Sequence, residues 1–227
     1  MMLKFWSIAM KTKALVIDLD DTLYSELDFL KSAYLDIASK LDDENQDLLY
    51  CEMISLYYDN KDVFQVLENK YGVSKSILLD WYRFHFPKIT LFENVKGVLD
   101  LLSKEFLFAI ITDGRSVTQR NKIKALGLED YMFKIVISEE INSTKPNEKN
   151  FLEIEKKLKC EYYIYIGDNP KKDFITPNRL GWDTICLKNN GCNVHAQNFD
   201  LDLEYLPKYI ISNWLELVKI ISVENKD

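Results

Sequence analysis

The chain has 227 residues, of which 47% are hydrophobic and 29% charged. That is enough apolar material to bury a sizeable core without a disulfide or metal staple, and it excludes collagenous, low-complexity and mostly disordered classes. With a net charge of −7 and no block of basic residues, electrostatic binding of a nucleic-acid backbone is not the expected task, and an anionic substrate needs a local device such as a metal ion to hold it.

In chain order, the apolar stretch within residues 1–13 is short and lacks a small-residue cleavage site, so no signal peptide is predicted, and Met10 is an alternative start to Met1. The run Ala14-Leu15-Val16-Ile17-Asp18 is apolar, ends in carboxylates and reads as a first strand. Residues 23–92 then show only helical pattern. Helices are predicted over 26–41, 44–58, 62–71 and 74–86, with Asp43, Asn60 and Ser74 as N-caps, Gly72 as a stop and Pro87 as an exit. Further strands are predicted over 106–112, 134–138, 162–167 and 183–187, as near-continuous apolar runs of the kind that parallel strands covered on both faces require. Helices over 95–104, 116–126 and 147–158 lie between them, the second stopping at Gly127, and an amphipathic helix over 209–221 closes the chain. Strands alternating with helices predict an α/β fold: a doubly wound, mostly parallel, Rossmann-like sheet, with 1–22 and 93–227 as its core domain and 23–92 as an inserted helical domain. No apolar run reaches the roughly 18 residues of a membrane helix. Cys51, Cys160, Cys186 and Cys192 show no CxxC spacing, which with only His85 and His195 argues against structural zinc and for a reducing, cytoplasmic compartment.

Chemistry gathers at the strand ends, where open α/β sheets bind ligands. In Asp18-Leu19-Asp20-Asp21-Thr22, a strand period of two aims Asp18 and Asp20 the same way and Asp21 elsewhere. Two such carboxylates share a divalent ion or divide into nucleophile and acid–base; read alone, they are equally an acidic turn. Thr112-Asp113-Gly114 offers a hydroxyl and accessible backbone N–H groups, an anion-binding arrangement or an ordinary turn. Lys145 precedes Pro146, which suits a first helical turn, and stands ready to hold a negative charge. Asp168 and Asp173 follow Gly167 as hard oxygen donors suited to magnesium. Each group alone has a bland reading, but the set falls in order at successive strand ends.

This set resembles the haloacid dehalogenase-like hydrolase superfamily. The four motifs are Asp18-Leu19-Asp20-Asp21-Thr22, Ile111-Thr112-Asp113-Gly114, Lys145-Pro146 and Gly167-Asp168 with Asp173, spanning 15 to about 187. The insertion after the first motif resembles the helical cap of one large subgroup. The resemblance implies Asp18 as a nucleophile forming an aspartyl-phosphate, and Asp20 as acid to the leaving oxygen and then base to water. It implies Thr112, Asp113 and Gly114 as phosphoryl-binding groups, with Lys145 stabilising the charge. Magnesium would be held by Asp18, the backbone carbonyl of Asp20, Asp168 and Asp173. The dehalogenases that name the group lack an acid two residues after the nucleophile and use no metal, so Asp20 and the fourth motif point to phosphate chemistry.

The expected function is magnesium-dependent hydrolysis of a small phosphorylated metabolite; sugar phosphates, nucleoside monophosphates and phosphoglycolate-like acids all fit. The alternatives are a phosphomutase of the same superfamily and an inactive phosphate-binding or receiver-like protein. A receiver domain has no counterpart of the cap, and a nucleotide-sugar transferase with an Asp-x-Asp would leave Thr112, Lys145 and Asp168 without roles. No nucleic-acid or membrane partner is expected, and no oligomeric state is assigned. In the cap, Tyr24, Trp81, Tyr82 and Phe84 are read either as stacking surfaces for substrate or as the cap's own core. At most one of Arg83 and His85 is expected to reach the site, because a helix splays residues two apart.

Overall fold

Apolar residues at both parities of a strand demand cover on both sides of the sheet, and that is how this chain folds. The computed structural model describes residues 12–224; the N-terminal start and most of the 1–13 stretch lie outside them. The strands are β1 (Lys13–Ile17), β2 (Phe106–Thr112), β3 (Met132–Ile137), β4 (Tyr162–Gly167), β5 (Asp183–Leu187) and β6 (Tyr209–Ile211). They form one sheet in the order β3-β2-β1-β4-β5-β6, with every pair parallel. In β1, Leu15 and Ile17 enter one buried cluster with Ile110, Ile166 and Trp214, whereas Ala14 and Val16 enter another with Ile111, Phe151 and Tyr165.

Four helices occupy the long segment between β1 and β2: α1 (Glu26–Leu41), α2 (Gln46–Tyr58), α3 (Val63–Tyr71) and α4 (Lys75–Phe84). They pack on a cluster of their own, built on Leu30, Ile37, Met53, Leu67 and Leu78. The segment's two ends meet, since the Phe92 N–H donates to the Leu23 carbonyl at 2.9 Å. Then follow α5 (Val95–Leu102), α6 (Ser116–Ala125), α7 (Ser138–Ile141), α8 (Glu148–Leu158), α9 (Pro170–Asp173), α10 (Ile175–Arg179) and α11 (Trp214–Glu224). Helices α5 and α11 cover the Leu15 face of the sheet and α8 the Val16 face. Among the described residues, no helix is long and apolar enough to cross a membrane.

Several local expectations are corrected. The start of α2 is delayed past Asp43 because Asp42 Oδ1 accepts the N–H of Asn45, the residue that precedes the helix. Asn60 adopts a left-handed φ of 55° at the end of α2, and Asp62 caps α3 instead, accepting the Gln65 N–H at 3.1 Å. Ser74 stands at the N-cap of α4 as expected, its hydroxyl sharing a hydrogen bond with Ser76 Oγ at 3.0 Å rather than capping a backbone N–H, and α4 ends at Phe84 rather than 86, with Pro87 barring helix at the residue before it. Gly72 does end α3, at φ 70°. Pro146 lies outside α8, whose N-cap is Asn147. The expected helix over 209–221 divides: the β-forming Tyr209–Ile211 pairs with the open edge of β5, and α11 begins only at Trp214, after Asn213 accepts the Leu215 N–H.

Candidate active site

The order of the sheet reverses between β1 and β4, and a crevice for ligands opens outside their carboxyl ends. Asp18 prolongs that pairing by one residue, its N–H donating to the Ile166 carbonyl at 2.8 Å. Asp18 and Asp168 therefore emerge side by side. Gly167 lets a third carboxylate join them: a Cβ there would lie 2.5 Å from Asp173 Oδ2. That oxygen accepts the Asn169 N–H at 2.8 Å, which closes the turn into α9. One oxygen of each of Asp18, Asp168 and Asp173 lies within 4.8 Å of the others. Lys145 completes the cluster, donating to Asp18 Oδ1 at 2.6 Å, Asp173 Oδ1 at 2.7 Å and the Tyr165 hydroxyl at 3.2 Å.

These groups are buried. Burial pushes the Asp18 carboxyl up to about 8 against the pull of Lys145, and burial with the charges of Asp18 and Asp173 pushes Asp168 up to about 8. Burial works against the Lys145 ammonium, but Asp173 and Asp18 hold it well above its usual value. Three carboxylates face one ammonium, so the cluster once ionised carries more negative charge than Lys145 compensates. Hard oxygen donors in that arrangement fit a divalent cation such as magnesium.

Asp20 stands apart from this cluster, and Leu19 between it and Asp18 turns into the core. Asp20 Oδ1 accepts from Lys122 Nζ at 2.7 Å and from the Tyr24 hydroxyl, while Oδ2 accepts from Gln119 Nε2 at 2.8 Å. Gln119 Nε2 also donates to Thr112 Oγ1 at 2.5 Å. Burial alone would raise the Asp20 carboxyl, but the Lys122 charge and these hydrogen bonds bring it below its ordinary range. Asp113 Oδ1 accepts the Lys145 N–H at 3.0 Å, and the Gly114 N–H donates to Ser138 Oγ at 2.8 Å. Both of these atoms are thus engaged with protein rather than open to a phosphoryl oxygen. Asp21 Oδ1 and Oδ2 accept the N–H groups of Glu26 and Val194, each at 2.8 Å, which ties α1 to the loop after β5.

Among the aromatics of the inserted segment, Tyr24 is fully buried with its hydroxyl on Asp20, and Trp81 and Tyr82 join the helical cluster. Phe84 is exposed. His85 is buried, its ring 4.7 Å from that of Phe29, and its Nδ1–H donates to the Tyr82 carbonyl. Arg83 offers its carbonyl to Thr118 Oγ1 at 3.0 Å. Reading the sequence missed Lys122, Gln119 and Tyr165, and also Asn193, whose Nδ2 donates to Asp168 Oδ2 at 2.8 Å. It also passed over Glu26, whose carboxyl burial and the Asp20 charge push up to about 8. A signal existed for the first two: polar residues three apart in a helix share a face, and that face follows the Thr112 motif directly.

A parallel sheet with a carboxylate–lysine cluster at its point of reversal places the chain in the α/β class, whose ligand crevices open at the strand ends. Residues 15–187 match the haloacid dehalogenase-like hydrolase family model, and the chain belongs to that family. It is 25% identical over 235 residues to a glyceraldehyde 3-phosphate phosphatase of Methanocaldococcus jannaschii, covering 95% of this chain and 99% of that one. It is 28% identical over 240 residues to a glyceraldehyde 3-phosphate phosphatase of Pyrococcus furiosus, covering 95% of each. Among solved structures, the HAD-hydrolase YfnB of Bacillus subtilis, bound to magnesium, aligns with a TM-score of 0.64 at 20% identity, over 93% of this chain and 99% of that one.

Proposed function

We propose that the chain is a magnesium-dependent phosphatase of small phosphate monoesters, with Asp18 as nucleophile. The observation that carries the reading is Lys145 bound to Asp18 inside the carboxylate cluster, with Asp20 two residues away. Asp18, the Asp20 carbonyl, Asp168 and Asp173 would hold magnesium, which supplies positive charge against the phosphoryl oxygens. Lys145 adds its ammonium to the same task and offsets the repulsion between a carboxylate and a phosphate dianion. An Asp18 oxygen forms a bond to phosphorus as the ester P–O bond breaks, and the departing oxygen takes a proton from Asp20. Water then attacks the aspartyl-phosphate and gives its proton back to Asp20, which releases orthophosphate and restores Asp18. Lys122, Gln119 and Tyr24 favour the ionised Asp20 that the second step needs, and an arriving phosphate dianion favours the protonated form that the first needs.

Residues 23–92 act in this reading as a cap over the site, excluding water and meeting the rest of the substrate. The relatives make glyceraldehyde 3-phosphate the first ester to assay. The test is orthophosphate release from a panel of phosphorylated metabolites, with magnesium and with EDTA, by wild type and Asp18→Asn. Wild-type turnover suppressed by EDTA, with calcium a poor substitute, and an Asp18→Asn variant that melts normally but is at least a thousandfold slower, is the expected outcome. Activity of the variant within tenfold of wild type would refute the assignment of the nucleophile.

A further inference from the structure

Thr118, Gln119 and Lys122 of α6 are polar side chains removed from water. Burying an ammonium is costly unless partners replace its hydration. Lys122 has three: its Nζ is 2.7 Å from Asp20 Oδ1, 4.4 Å from the centre of the Phe29 ring and 5.9 Å from that of Tyr24. Phe29 belongs to α1, the first inserted helix, so the ammonium joins Asp20 to the cap. Gln119 fixes the other Asp20 oxygen and joins it to Thr112. The same helix grips the far end of the insertion, where Thr118 Oγ1 donates to the Arg83 carbonyl and Asn121 Nδ2 to the His85 carbonyl at 3.2 Å.

We propose that Lys122 and Gln119 are positioning residues for Asp20, and that Lys122, seated on Phe29, couples the placement of that carboxylate to the seating of the cap. The inference rests on the phosphatase reading, in which Asp20 delivers a proton to the leaving oxygen. Such a transfer needs heavy atoms about 2.6–3.2 Å apart. A carboxylate held at both oxygens from one helix cannot swing out of that range. A displacement of about 1 Å can cost on the order of a hundredfold in rate.

The dependence on the leaving group separates positioning from mere support of the fold. When the P–O bond breaks, its electron pair goes to the leaving oxygen. A nitrophenolate departs as the anion, whereas an alkoxide must take the Asp20 proton. The experiment measures kcat/KM for glycerol phosphate and for p-nitrophenyl phosphate in wild type, Lys122→Met, Gln119→Leu and the reference variant Asp20→Asn, with a melting curve for each. Methionine stays unbranched and nearly as long but removes the charge from both Asp20 and the Phe29 ring. The expected result is that both positioning variants lose at least tenfold more on the alkyl ester than on the aryl ester, in the direction set by Asp20→Asn. An equal loss on both esters, with Asp20→Asn still discriminating, overturns the proposal. Should Lys122→Met fold poorly, Gln119→Leu and Lys122→Arg read the same ratio. If wild type releases phosphate from neither glyceraldehyde 3-phosphate nor these two esters, the phosphatase reading itself fails and the positioning role falls with it.

Discussion

Gly167 shows how much of the site depends on a missing side chain. A Cβ at this position would meet three atoms of Asp173 at 2.5–2.9 Å, closer than real contacts allow. Asp173 cannot simply turn away, because its carboxylate is bound by Lys145, Tyr165 and the Asn169 N–H. Gly167→Ala should therefore push Asp173 off Lys145 and pull Lys145 off Asp18. We expect turnover to fall at least tenfold, with a destabilisation of about 1–3 kcal/mol for a disturbed buried polar network. Phosphate-release kinetics and a urea melt on the same samples check both; unchanged kinetics would show that Asp173 has room to relax. The glycine was legible in the sequence as the residue that precedes Asp168, but the contact that requires it was not. Asp18, Asp20, Lys145, Asp168 and Asp173 were legible because each ends or follows an apolar run. Lys122 and Gln119 left only a weak signal, their shared helix face after the Thr112 motif, because one lysine and one glutamine on a polar helix look like any solvated face until the partner strand is in place.

At the scale of elements, the strands were legible because parallel strands write themselves as unbroken apolar runs, and β1, β2, β4 and β5 fall within a residue of their expected bounds. The three-residue β6 was hidden by the helix that follows it, since Tyr209, Ile210 and Ile211 extend an apolar period equally well in either form. Helix starts were less legible, because a run such as Asp42-Asp43-Glu44-Asn45 offers several capping side chains and only tertiary packing selects one. The cap of α3 allows a direct test. Asp62 accepts the Gln65 N–H and is paired with Lys75 at the start of α4, so one side chain begins one helix and ties it to the next. Asp62→Ala should cost about 0.5–2 kcal/mol, the usual worth of an N-cap aspartate, while the exposed ion pair adds little. Asp62→Asn, which keeps the cap oxygen and loses the charge, should recover most of it. Melting temperatures of the two variants decide: equal losses would mean that the ion pair, not the cap, holds this corner.

For the whole molecule, the strand order has an electrostatic consequence. Bringing the ends of β1 and β4 together buries Asp18 and Asp168 side by side, and both carboxyls are pushed up to about 8. A group whose folded value is raised contributes stability that is complete below its unfolded value, here 3.8, and is lost as pH rises through about 8. Protein freed of metal should therefore become less stable between pH 6 and 9, a window in which ordinary carboxylates are already ionised and contribute no slope. In the proposed function magnesium would bind the ionised oxygens, so it should restore more stability at pH 9 than at pH 6. A loss of about 2 kcal/mol would move the melting temperature of a chain this size by about 4–8 °C. The measurement is a set of melting curves across this window, in EDTA and in magnesium, for wild type and Asp168→Asn. The variant removes one raised group and relieves the like charge on Asp18, so its decline in EDTA should be shallower and its gain from magnesium smaller. Parallel declines in wild type and variant would place the pH dependence elsewhere in the molecule and remove the argument that an uncompensated carboxylate cluster is what the metal neutralises.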